Sequence, residues 1–146
     1  VVPHPFSLLT RSVGRRTLDR VMAIEDATTH PDGIELANPM MRGWDVGDRA
    51  VRGNRERWRL AETGGSDAHF RETVGTAYTQ FPGRTAEDLR RAIIERRTAG
   101  VLVRTTPYRE IGARRLVLQQ VVGLSVTPRK VIGGRIERWR AARAAR

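Results

Sequence analysis

The chain has 146 residues, 39% hydrophobic and 5% aromatic, which fits one ordinary globular domain with a moderate core. It carries 27 basic residues against 16 acidic ones, a net charge of +11, with no cysteine and a single lysine, Lys130. These counts exclude disulfides, Cys-ligated zinc, iron–sulfur clusters and thiol nucleophiles, and no stretch approaches the roughly 20 apolar residues of a membrane span.

The elements are predicted in chain order. Val1–His4 reads as a short strand ending in a His-Pro loop. Gly14–Ala27 has Leu18, Val21, Met22 and Ile24 near helical spacing, the pattern of an amphipathic helix. Thr28-Thr29-His30-Pro31-Asp32-Gly33 is a dense turn signal, and Gly33–Leu36 reads as a short buried strand. Pro39–Gly53 reads as loop, broken at Gly43, Gly47 and Gly53, before a helical segment over Asn54–Ala61. Glu62–Ser66 and Val74–Thr79 are predicted as strands. Thr85 caps the clearest helix, with Asp88 in its first turn where an acid suits the dipole. A strand over Val101–Val103, a helix over 111–123 and a basic helix over Gly134–Arg146 complete an α/β alternation without repeats.

The net charge raises nucleic acid as a partner. Two features weaken that reading. Every basic residue but Lys130 is Arg, the mark of a compositional bias, and residues 129–146 alone hold seven basic residues against Glu137. The tail places Ile132, Ile136 and Trp139 near helical spacing, so it reads either as a helix docked on the body or as an electrostatic contact for nucleic acid. No signature of a secretory signal is present, and a cytoplasmic protein is expected. The sequence opens without Met on what reads as a strand end, so the chain is expected to begin inside a larger fold.

Only His4, His30 and His69 are histidines. His4 and His69 fall at strand-to-loop junctions, where functional groups collect in parallel α/β folds. Asp67 and His69 are two apart, so in extended backbone both side chains point the same way and can share a metal. Mixed His and carboxylate ligation suits zinc, manganese or iron. The same residues also admit plainer roles: His4 packed beside Pro5, Asp67 as a turn cap after Ser66. His30 reads as a solvated turn residue on the opposite rim.

The combined string is more specific. His4-Pro5-Phe6, then Gly33-Ile34-Glu35 with Asn38, then Gly64-Gly65-Ser66-Asp67-Ala68-His69-Phe70, with Val74-Gly75 and Thr79 following, resembles the C-terminal half of the PHP family, which is named for polymerase-associated and histidinol-phosphatase members. The resemblance runs from Val1 to about Thr98. It implies the C-terminal half of a distorted (β/α)7 barrel over residues 1–128, with residues 129–146 as a basic helical extension. It implies a metal-dependent phosphoesterase with His4, Asp67 and His69 as metal ligands. Two or three divalent ions (zinc, manganese or iron) would serve the complete domain, and no protein nucleophile is needed because water attacks phosphorus. Glu35, Asn38, Arg42 and Arg71 fall near the site as supporting or substrate-side residues. The expected substrates are phosphorylated small molecules, such as nucleotides or short oligonucleotides. The family's His-x-His motif does not occur in this sequence, so the chain is expected to need an N-terminal half of the same domain and to be inactive alone. The alternatives are a non-catalytic basic module that binds nucleic acid through its tail, and a degenerate PHP-like scaffold.

Overall fold

The computed structural model describes residues 1–7, 12–39, 46–106, 108–123 and 125. The chain divides into two compact units, Val1–Pro107 and Tyr108–Arg146. The expected basic helix over Gly134–Arg146, and Arg42 with it, lie outside the described residues.

The first unit is mixed α/β and holds the candidate residues. Its elements are α1 (Arg15–Met22), β1 (Gly33–Ala37), α2 (Val46–Gly53), β2 (Ala61–Gly64), β3 (Ala77–Gln80), α3 (Ala86–Ile94) and β4 (Ala99–Leu102). β1 and β2 run parallel, with Gly33 opposite Ala61 and Glu35 opposite Thr63. On the other side of β1, Val2 makes a parallel bridge to Ile34, through Val2 N–H to the Gly33 carbonyl at 2.8 Å and Glu35 N–H to the Val2 carbonyl at 2.9 Å. The strand expected at Val1–His4 is thus reduced to one bridge, because Pro3 and Pro5 cannot donate to a ladder. β3 and β4 pair antiparallel with α3 between them in sequence. Among the described residues there are two two-stranded sheets and no closed barrel, so the half-barrel expectation holds only as mixed α/β.

The two sheets meet at the end of β2. The Thr79 hydroxyl accepts from Gly64 N–H at 3.0 Å and donates to the Gly64 carbonyl at 2.9 Å, as a strand backbone would. A Cβ on Gly64 would collide with the Tyr78 carbonyl, so only glycine permits this crossing.

The core gathers Val2, Leu18, Ile34, Trp58 and Leu60, with Phe6, Val13, Met22 and Leu36 against them. Helix α1 is shorter than its sequence pattern because Asp26 caps a separate 3-10 turn, Ala27–Thr29. The larger difference is α2, which lies where a loop was expected. Gly53 does not break it. The Trp58 ring lies where a Cβ on Gly53 would sit, at 2.5 Å, and α2 runs on into a π-helical turn, Asn54–Trp58. That turn is held by Asn54, whose side chain accepts from Leu60 N–H at 2.8 Å and donates to the Leu60 carbonyl at 3.0 Å. Tertiary packing here outweighs the weak helix propensity of glycine.

The strand predicted at Val74–Thr79 starts only at Ala77, since Arg71–Thr73 is a 3-10 turn and Gly75 is left-handed at φ +73°. In the second unit, α4 (Tyr108–Ile111) is followed by helix over 113–123, interrupted at Gly112 with φ +80°. Helix α3 follows its sequence closely. Thr85 Oγ1 accepts from Asp88 N–H at 3.1 Å, and Asp88 Oδ2 accepts from Thr85 N–H at 3.1 Å, a reciprocal cap. Thr85→Ala is expected to lower stability by about 1 kcal/mol, measured by urea unfolding.

Candidate functional site

Parallel strands end on one rim, and the candidate residues follow those ends. His4 stands two residues after the Val2 bridge, Glu35 is the central residue of β1 and Asn38 directly follows that strand, and Gly65 to His69 follow β2.

Glu35 is the centre of the arrangement. It is buried, and its Oε2 accepts the His4 backbone N–H at 2.5 Å. Its Oε1 lies against Gly65, 2.5 Å from where a Cβ would sit. Burial pushes the Glu35 carboxyl above the usual carboxylate range; the hydrogen bond from the His4 N–H and the neighbouring Asn38 amide pull the other way, and the charge of Asp67 adds to the rise. Asn38 is itself buried at the same strand end.

The backbone is left-handed at His4 (φ +26°), Phe6 (+64°) and Asp67 (+46°). Such conformations in non-glycine residues cost of the order of 1–3 kcal/mol and persist where the surroundings hold them. In extended backbone the spacing of Asp67 and His69 would set them side by side. They do meet, but through a turn: His69 Nε2 lies 3.8 Å from Asp67 Oδ1, with both side chains open to solvent.

The His4 backbone N–H is thus held by Glu35, Asp67 lies near enough for its charge to act on Glu35, and His69 meets Asp67. Arg71 is the exposed first residue of the turn Arg71–Thr73, whose Thr73 is buried. His30 lies before β1, where its Nε2 donates to the Ile24 carbonyl at 2.9 Å and closes a turn. Sequence reasoning did not single out Gly65 as a contact of Glu35. The signal was the Gly64-Gly65 pair, which marks close backbone approach.

The donors are imidazole nitrogen and carboxylate oxygen without thiolate, a chemistry that suits zinc, manganese or iron. They form a partial set. Among the described residues no three of His, Asp and Glu come together to hold a metal ion. Among the same residues no helix is long and apolar enough to cross a membrane.

Glu35 sets a pH dependence. Its pKa is raised in the folded state, so the folded chain binds more protons than the unfolded one in the window above the ordinary value of 4.5. Stability from this group therefore falls as pH rises through that window. Glu35→Gln is expected to flatten this slope in thermal melts taken between pH 4 and pH 7.

No curated protein and no solved structure matches the chain. Residues 49–98 match the family model described as PHP-associated, a stretch that runs from α2 past the end of α3 and includes the whole Gly64–His69 loop. Residues 49–98 are thus similar to the PHP-associated family, consistent with the C-terminal region of a PHP domain.

Proposed function

We propose that this chain is the C-terminal portion of a metal-dependent phosphoesterase of the PHP type, acting on small phosphate esters such as nucleotides or short oligonucleotides. The observation that carries this reading is the solvent-open Asp67–His69 pair, 3.8 Å apart, on the loop whose Gly65 lies against the buried Glu35. It lies inside the PHP-associated segment.

In this reading Asp67 and His69 offer a carboxylate and an imidazole to a divalent ion, and the His4 ring would join them only in the completed site. The remaining donors come from a preceding PHP portion. A bound divalent ion supplies Lewis acidity toward the phosphoryl group and activates water. The chain's own contribution is to hold these donors on strand ends. Neither Ser66 nor any other hydroxyl is needed as a nucleophile.

The test is hydrolysis of a phosphomonoester by the protein that joins this chain to its preceding PHP portion. Turnover that depends on manganese or zinc, and that a chelator removes reversibly, is expected. Turnover unchanged after chelation contradicts the reading.

A further inference from the structure

We propose that Glu35 is a positioning residue, a clasp whose two carboxylate oxygens fix the His4 turn and the Gly65–His69 loop against each other. The inference rests on the reading of His4, Asp67 and His69 as one site, and goes beyond it by giving Glu35 neither a metal nor a substrate to hold.

Three observations carry it. β1 is flanked by the Val2 bridge on one side and by β2 on the other, so a long side chain on its central residue can reach the loops that follow both. The two oxygens are divided between them: Oε2 takes the His4 N–H, and Oε1 fills the space that a side chain on Gly65 would need. Both loops also carry left-handed non-glycine backbone, at His4 and at Asp67, which relaxes unless the surroundings over-determine it. Glu35 is 9% exposed, too enclosed to meet a substrate directly.

The test is amide hydrogen exchange, read by NMR on the full chain without metal. Glu35→Ala should speed exchange of the His4 amide at least about tenfold relative to the β1–β2 ladder, because a charged acceptor is lost. Glu35→Gln keeps an acceptor and should hold that amide within about threefold of the parent. Gly65→Ala leaves Glu35 in place but pushes its carboxylate aside, and should speed the same His4 amide, 61 positions back along the chain. A Gly65→Ala variant with an unchanged His4 amide would overturn the proposal. So would a Glu35→Ala variant in which every amide of the first unit speeds up equally.

Broadening of the His69 ring signals by manganese reports on the functional reading separately. Its absence, with the His4 amide responding as expected, would overturn that reading and leave the clasp standing.

Discussion

Replacing Asp67 or His69 with alanine is expected to abolish the proposed phosphoester hydrolysis where this chain is joined to a PHP portion, while the fold survives. The loss should be at least about 100-fold, beyond the 10–100-fold that changes to outer-shell partners cost a metal site. Both side chains are open to solvent, with Asp67 32% and His69 56% exposed, and neither belongs to the core cluster. Surface substitutions of this kind usually change stability by less than about 0.5 kcal/mol. Asp67 adds a complication, because its backbone is left-handed and alanine tolerates that poorly. Asp67→Asn removes the charge and keeps a residue type suited to that conformation. Loss of turnover in Asp67→Asn, with an unchanged melting temperature, isolates the carboxylate. Retained turnover in both His69→Ala and Asp67→Asn would contradict the assignment.

Trp58→Ala is expected to be the most destabilising single change, by about 3–5 kcal/mol. Its ring is 4% exposed in the core cluster, and Phe6 packs edge-on at 5.7 Å. Its Nε1–H donates to Asp19 Oδ1 at 2.8 Å and ties the π-helical turn to α1. Alanine opens a cavity and leaves Asp19 without that donor. Against a typical total stability of about 5–15 kcal/mol, such a loss leaves little in reserve. Trp58→Phe keeps an aromatic ring in the core and loses the hydrogen bond with part of the packing, so a smaller cost of about 1–2 kcal/mol is expected. Urea unfolding of the two variants checks the order. Phe6 stands two residues from His4, so core and site are mechanically connected through one turn.

The parts of this structure legible in the sequence are those decided locally. Thr85 and Asp88 announce their cap by residue type and spacing, and the structure makes both bonds. The Gly33–Leu36 run announces a buried strand, and β1 adds only Ala37. Elements decided by distant contacts were not legible. Helix α2 contains Gly47 and ends on Gly53, and only the Trp58 ring packed against Gly53 explains why helix continues there. The site divides in the same way. Residue types marked His4, Glu35, Asn38, Asp67 and His69, but not the left-handed backbone at Asp67 nor the division of the Glu35 oxygens between two loops. Those follow from the order of neighbouring strands, which no local pattern encodes.

The three histidines allow one direct measurement of the central claim, that the rim formed by the ends of Val2, β1 and β2 is a metal-binding face. His4 and His69 stand at that rim, whereas His30 precedes β1 and is separated from it by the five-residue strand, roughly 16 Å of chain. Titrating manganese into the full chain and following the histidine ring signals by NMR separates the two ends. The account predicts broadening of His69 and His4 while His30 stays sharp. Broadening of His30 equal to theirs, or three sharp signals throughout, would contradict it.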